Sequence, residues 1–195
     1  DNNLGKGKSG QQVLEELRST PNHCSDSLFI LVSAESSKSI IMAAYDYEPD
    51  AYLAKPITPK ALDQRLSRLI EQRVELKTVQ AAQKAGDSAT AIAACKDLIA
   101  KGSRYTNSCQ KILAQLYLDN KEINKAEEIY RAVLDVRELE WAQIGMVKTK
   151  LAQDDLLGAQ QWLENLLQSN PLCMKAYDLQ AEVFKQQNDL DGLQT

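Results

Sequence analysis

Few residues in this sequence combine a reactive side chain with a spacing that chemistry could use. The single histidine, His23, lies in a polar loop and has no second histidine with which to share a metal ion. The four cysteines lie far apart and form no C-x-x-C pair: Cys24, Cys95, Cys109 and Cys173. Lys6 and Lys8 lie beside glycines, but the spacing of a phosphate-binding P-loop is absent. We therefore expect a solvated histidine, buried free thiols and no metal cluster.

Three polar residues lie at the start of the sequence or next to short apolar segments. Asp1 is the first residue, Ser33 follows an apolar run, and Lys55 follows a second one and precedes a proline. A carboxylate, a hydroxyl and an ammonium group could bind or transfer a charged group if the fold brings them together. A hydrolase built on the same three residues is the weaker hypothesis, because it lacks a nearby histidine and a nucleophile elbow.

The first 73 residues alternate amphipathic helices with short apolar strands. This order is typical of a parallel sheet covered by helices. The run Leu28–Val32 is too short for a helix, and we predict a strand buried on both faces. Thr58 is the expected N-cap of the last helix, with Pro59 in its first position. The other predicted elements are helices over Gly10–Arg18 and Ser36–Tyr45 and a strand over Ala51–Ala54.

After residue 73 the sequence contains a repeat and no strand signals. Turn residues are centred on positions 86, 120, 154 and 188, so successive turns are 34 residues apart. Each turn separates two amphipathic helices, and this period is typical of a solenoid of helix–turn–helix units. Between Pro59 and Ala85 there is no glycine or further proline. We predict one continuous helix there, with a break near Gln72–Val74 as the alternative.

The repeated part resembles tetratricopeptide (TPR) repeats over residues 74–195, about three and a half units. The best-matching unit carries large and small residues in the order of that family: Trp141, Ile144, Gly145, Ala159, Leu163, Leu166 and Pro171. Small residues such as Ala114, Gly145 and Ala126 would let neighbouring helices approach closely. The resemblance implies an all-α helical solenoid that binds an unidentified protein or peptide in its groove.

Residues 1–73 resemble the later part of a response-regulator receiver domain, a flavodoxin-like α/β fold. The matching segments are Asp1–Gly5, Leu28–Glu35 and Ala51–Pro56. The resemblance implies that Asp1 accepts the phosphoryl group and that Asp1 and Asn3 help to hold Mg²⁺. It also implies that Ser33 and Lys55 bind the phosphoryl group, that Tyr52 is the rotating switch residue, and that the peptide bond after Lys55 is cis.

A receiver also uses an upstream acidic pair to bind Mg²⁺, and neither that pair nor the first strands are in this sequence. The resemblance therefore indicates a partial receiver from a longer protein, with an incomplete Mg²⁺ site. We do not expect this chain alone to phosphorylate itself. The strand over Leu28–Val32 would have an unpaired apolar edge, and we expect either self-association or disorder in residues 1–57.

Composition narrows the class of protein further. The 195 residues are 44% apolar and 26% charged, as in soluble globular proteins. A net charge of -4 argues against nucleic-acid binding through bulk electrostatics. No run approaches the roughly 18 apolar residues of a membrane span, and the first residues lack the apolar core of a secretory signal. We therefore expect a cytoplasmic protein without nucleic-acid or membrane partners.

Together these features predict a two-component response regulator with a TPR output module, not an enzyme in the usual sense. A sensor histidine kinase or a phosphotransfer protein would phosphorylate Asp1, and the TPR module would bind the output partner. The alternative is a TPR adaptor whose degenerate receiver serves for docking and is not phosphorylated. The two hypotheses differ in whether the intact protein takes up phosphate.

Overall fold

The chain is divided into two compact units, residues 1–74 and 75–195. The computed structural model describes residues 7–19, 27–34 and 49–187. Most of the described residues are helical, and a small parallel sheet lies in the first unit. The boundary falls beside residue 73, where the sequence changes its period. None of the helices in the described ranges combines the length and the apolar character needed to cross a membrane.

The described residues form nine helices and two strands. In chain order they are α1 Gly10–Ser19, β1 Ile30–Ser33, β2 Ala51–Ala54, α2 Pro59–Glu75, α3 Lys77–Lys84, α4 Ser88–Ala100, α5 Thr106–Asp119, α6 Ile123–Leu134, α7 Glu140–Ala152, α8 Leu156–Ser169 and α9 Met174–Gln186. The helix predicted over Ser36–Tyr45 lies outside the described residues. The described residues therefore show a small parallel sheet followed by a mainly helical part, and the alternation of helix and strand between β1 and β2 stays a prediction.

The two strands pair in parallel, as the sequence predicts. Their register places Ile30 opposite Ala51 and Ser33 opposite Ala54. Side chains of β1 alternate between half-buried and buried, so the prediction that this strand is buried on both faces is wrong for the described sheet. Its inward residues are Leu31, 2% exposed, and Ser33, 4% exposed.

The predicted bounds of the first strand, Leu28–Val32, are also wrong. The strand begins two residues later and includes Ser33. Just before the strand, the backbone N–H of Phe29 donates to the side-chain oxygen Oδ2 of Asp50, 2.7 Å away. The first ladder position falls on Ile30.

The first helices of the chain begin at local capping signals. The backbone N–H of Ser9 donates to Oε1 of Gln12 at 2.8 Å, and the N–H of Gln12 donates to Oγ of Ser9 at 3.2 Å. This reciprocal pair is a capping box at the start of α1. At α2, Oγ1 of Thr58 accepts from the N–H of Ala61 at 3.2 Å, which confirms Thr58 as the N-cap.

The helix pairs of the second unit are joined by turns with one residue in the left-handed conformation. These residues are Gly86 (φ 70°), Lys121 (φ 61°) and Asp154 (φ 58°). In each turn the next residue donates its N–H to the carbonyl five residues earlier: Asp87 to Ala82, Glu122 to Tyr117, and Asp155 to Lys150. The middle turn is therefore centred one residue beyond the predicted position 120.

Residues at equal distances from these turns are buried to the same extent. Asp87, Glu122 and Asp155 are the N-caps of the second helices. The eighth residue before each N-cap and the fourth after it have no exposed surface: Val79, Ala114 and Val147, then Ala91, Ala126 and Ala159. The pairs α3–α4, α5–α6 and α7–α8 therefore pack in the same way. They form a helical repeat, as the sequence predicts.

Gly145 lies at the contact between successive helix pairs. A Cβ atom on this residue would lie only 2.2 Å from ring carbon Cε1 of Tyr130 on α6. The Tyr130 ring also packs edge-on against Trp141, with centroids 6.0 Å apart. A large aromatic side chain fits against α7 because residue 145 has no side chain. Close approach at a small residue, as predicted, is therefore confirmed here.

The stretch between α2 and α3 contains a break, so the predicted continuous helix is wrong. Leu76 separates the two helices, with φ -86° and ψ 4°. Its side chain is 3% exposed and belongs to the main core of the second unit. Helix propensity favours continuation here, and the burial of this one apolar side chain accounts for the turn. The break lies just past the alternative position Gln72–Val74.

We expect Gly145→Ala to destabilise the second unit by about 1–3 kcal/mol, because the added methyl group overlaps a rigid ring. The higher helix propensity of alanine, about 1 kcal/mol, offsets part of this loss. Urea unfolding measures the change. The matched control is the same substitution in a Tyr130→Leu background, since Leu163 is the equivalent residue of the next pair. An equal loss in both backgrounds would contradict the proposed contact.

Candidate functional site

Ser33 and Lys55 lie next to each other at the carboxyl edge of the sheet. The backbone N–H of Lys55 donates to the carbonyl of Ser33 across the two strands, 2.8 Å away. Ser33 ends β1 and is buried, whereas Lys55 directly follows β2 and is exposed. Ligands of parallel α/β sheets bind at this edge. The fold thus brings two of the predicted site residues together. The bond between Lys55 and Pro56 is cis, as predicted.

Tyr52 lies on β2, two residues before the carboxyl end of the strand. It is in register with Leu31, so its side chain is on the same face of the sheet as Leu31 and Ser33. The Tyr52 side chain is half-buried. The role of Tyr52 as a switch residue stays a prediction.

Asp1 and Asn3, the predicted phosphoacceptor and Mg²⁺ residues, lie outside the described residues. Their roles stay predictions, and His23 and Cys24 lie outside these ranges as well. Within the described ranges no group of three or more His, Cys, Asp or Glu residues could hold a metal ion. The hydroxyl and ammonium groups at the carboxyl edge suit phosphoryl oxygens, whereas Mg²⁺ prefers carboxylate oxygens. The two side chains of the described edge therefore suit an anion, and the Mg²⁺ residues that the resemblance implies, Asp1 and Asn3, stay predictions.

The amino edge of the sheet is held by a contact that the sequence did not predict. Nη2 of Arg73, on α2, lies 3.3 Å from Oδ1 of Asp50 and 3.3 Å from the carbonyl oxygen of Ser27. Two hydrogen bonds join Asp50 to Phe29. The N–H of Phe29 donates to the Asp50 carboxylate, and the N–H of Asp50 donates to the Phe29 carbonyl at 2.9 Å. These contacts join α2 to the segments that lead into both strands. No local pattern marks the pair, because Asp50 and Arg73 are 23 residues apart.

The helix pairs carry polar side chains at one repeated position. The seventh residue before each N-cap is Gln80, Gln115 or Lys148. Gln115 and Lys148 are exposed, and Gln80 is half-buried. Because the three first helices pack equivalently, these side chains lie on equivalent faces, and we call them the polar row. Amide and ammonium groups at regular intervals can form hydrogen bonds with a bound protein segment.

The chain has no match among protein-family models, curated proteins or solved structures. Its assignment therefore depends on residue types and on their positions. Two observations carry most weight: the meeting of Ser33 and Lys55 at one sheet edge, and the three equivalent helix pairs.

Glu127 is at the centre of a polar network between α6 and α7. Its carboxylate accepts hydrogen bonds from Arg131 at 2.7 Å and from Gln153 at 2.8 Å, and Nζ of Lys150 lies 3.6 Å away. The Glu127 side chain is 15% exposed. The hydrogen bond from Arg131, followed by that from Gln153, holds the pKa of Glu127 below its usual value. The ionised form therefore stabilises the contact between successive helix pairs.

We expect Glu127→Gln to reduce the acid sensitivity of the second unit. Because the folded-state pKa is lowered, the stabilisation is present above the ordinary glutamate pKa and is lost as the pH falls through the lowered value. The variant should lose about 1 kcal/mol near neutral pH and should approach the wild type in acid. Urea unfolding across the acid range measures this difference. Glu128→Gln makes the same chemical change at the exposed neighbouring position, outside this network; it is the control and should cost less stability near neutral pH.

Proposed function

We propose that this chain belongs to a response regulator in which phosphorylation of one unit controls protein binding by the other. The observation that carries the proposal is the 2.8 Å hydrogen bond from the backbone N–H of Lys55 to the backbone carbonyl oxygen of Ser33. It brings a hydroxyl residue and a lysine to the carboxyl edge of two parallel strands. The resemblance of the sequence to a receiver domain assigns phosphoryl binding to the same two residues.

The chemistry of the edge follows from the two side chains. The Ser33 hydroxyl would donate a hydrogen bond to a phosphoryl oxygen, and the Lys55 ammonium group would pair with the added negative charge. Asp1 is the residue proposed to accept the phosphoryl group from a sensor histidine kinase or a phosphotransfer protein. Mg²⁺ supplies charge neutralisation when bound, and Asp1 and Asn3 would contribute to its site. Tyr52, on the same face as Ser33, would rotate when the hydroxyl changes partner.

The helical unit would be the output module. Three equivalently packed helix pairs and the polar row support a protein-binding role, and the resemblance to TPR repeats favours a protein or peptide partner. Buried alanines at the same position of each second helix favour similar packing of the pairs, so a bound segment would meet similar geometry at each pair. The alternative, a TPR adaptor that docks through a degenerate receiver, differs only in lacking phosphorylation.

The test is phosphorylation of the full-length protein by acetyl phosphate with Mg²⁺. We expect an acid-stable, hydroxylamine-labile phosphate on Asp1, and none in an Asp1→Asn variant. Lys55→Ala should slow its formation about a hundredfold, because a charged group at the reacting centre is lost.

Lys60→Ala is the matched control, since Lys60 is an exposed lysine in the first turn of α2. It should leave the labelling rate unchanged. No incorporation in the wild type, with partner binding retained, would establish the adaptor instead. Equal labelling of the Lys55→Ala variant and the wild type would contradict the role of the carboxyl edge.

A further inference from the structure

Asp50 holds the main chain of Phe29 through two hydrogen bonds. The N–H of Asp50 donates to the Phe29 carbonyl at 2.9 Å, and Oδ2 of Asp50 accepts from the Phe29 N–H at 2.7 Å. Phe29 directly precedes β1, and Asp50 directly precedes β2. The two hydrogen bonds therefore lie where the pairing of the strands begins.

The apolar residues of β1 do not by themselves select the observed register. The buried residues of this strand are Leu31 and Ser33. If β1 moved by two residues, every side chain would keep its face of the sheet, because side chains alternate with a period of two. Phe29 and Leu31 would then take the buried places of Leu31 and Ser33. The slipped strand would bury more apolar surface, so hydrophobic burial favours the slipped register.

The register decides whether the two residues of the proposed phosphoryl site meet. A slip of two residues moves one parallel strand past the other by about 6.6 Å. Ser33 would then lie opposite Pro56 and no longer opposite Ala54. The 2.8 Å hydrogen bond from the N–H of Lys55 to the Ser33 carbonyl would be lost. Since a misplacement of about 1 Å already impairs groups that act on one ligand, the slipped sheet would not form the site.

Arg73 orients the carboxylate of Asp50. Nη2 of Arg73 lies 3.3 Å from Oδ1 of Asp50, whereas Oδ2 accepts from Phe29, so the two oxygens have different partners. The same nitrogen donates to the carbonyl of Ser27 at 3.3 Å. The Arg73 and Asp50 side chains are only 28% and 22% exposed, so solvent screens this ion pair less than a surface pair. The carboxylate is thus held in the direction that its bond to Phe29 needs.

We propose that Asp50, held by Arg73, is a positioning residue for phosphoryl binding, because it sets the register of β1 against β2 and thereby brings Ser33 and Lys55 together. The inference rests on the proposed function for the identity of the ligand, whereas the register is a property of the sheet itself. Asp50 lies at the amino edge and does not touch the phosphoryl group. Its effect on phosphorylation therefore passes through Ser33 and Lys55.

The first test measures the register in the full-length protein. An NMR correlation through the hydrogen bond, from the Lys55 amide nitrogen to the Ser33 carbonyl carbon, reports the observed pairing. We expect Asp50→Ala to lose this correlation and Asp50→Asn to keep it, because the asparagine oxygen can still accept from Phe29. Asp63→Ala, at an exposed aspartate of α2, is the matched control and should keep it as well. A folded Asp50→Ala variant that keeps the correlation would overturn the proposal.

The second test measures labelling by acetyl phosphate with Mg²⁺. Asp50→Ala should slow labelling about a hundredfold, since the two binding groups are separated. Asp50→Asn should restore most of the rate. In a Lys55→Ala background, Asp50→Ala should cost far less, because the lysine that it places is already absent. An equal fractional loss in both backgrounds would indicate a merely structural role and contradict the proposal.

Arg73→Gln supplies a second variant that leaves Asp50 intact. It should slow labelling about threefold, because the carboxylate loses one of its partners. If Asp50→Ala does not fold, an unchanged rate and an unchanged NMR correlation in Arg73→Gln would overturn the proposal.

The positioning role and the proposed function fail in different ways. If the wild type takes up no phosphate, the proposed function is wrong, and the NMR correlation alone decides the role of Asp50. If the wild type and a folded Asp50→Ala variant are labelled at the same rate, the positioning role is wrong and phosphorylation stands.

Discussion

The packing of the helical unit depends on a small residue at one repeated buried position of its second helices. Ala91, Ala126 and Ala159 lie at the same place on three second helices, each without exposed surface. A methyl group at a buried position between two helices lets the helix axes approach, and larger side chains on either side fill the gaps. Each of these alanines is the fourth residue after its N-cap. A residue inserted into the helix between the N-cap and the alanine would therefore rotate the buried face by about 100°.

This constraint also explains which parts of the fold could be predicted from the sequence. The turn spacing and the small residues are periodic, so the repeat was visible without any tertiary information. The N-cap at Thr58 was also predictable, because it depends only on residues within one helical turn. The left-handed residue at Lys121 was not predicted, because lysine gives no signal for a conformation that glycine usually adopts. The break at Leu76 was missed for a different reason, since tertiary burial overrides helix propensity there.

The candidate site shows the same division between local and long-range information. Parallel strands align their carboxyl ends, so residues that end two neighbouring strands must meet, and the sequence could place Ser33 beside Lys55. The contact of Arg73 with Asp50 depends on where α2 ends relative to the sheet, and no local pattern encodes it. Asp1 and Asn3 lie outside the described residues, so for them the sequence remains the only source. The carboxyl edge was therefore predictable, and the amino edge was not.

The three turns have the same hydrogen bonds but unequal intrinsic costs. Glycine adopts the left-handed conformation of Gly86 freely, whereas a side chain with a Cβ atom, as at Lys121 and Asp154, opposes it by about 1 kcal/mol. Each helix pair therefore has its own conformational cost at the turn. The turn residue is exposed, so this cost is separate from the buried contacts. A substitution at such a turn changes the stability of that pair and leaves its buried contacts unchanged. The stability of the helix pairs can thus differ along the chain while their buried residues stay the same.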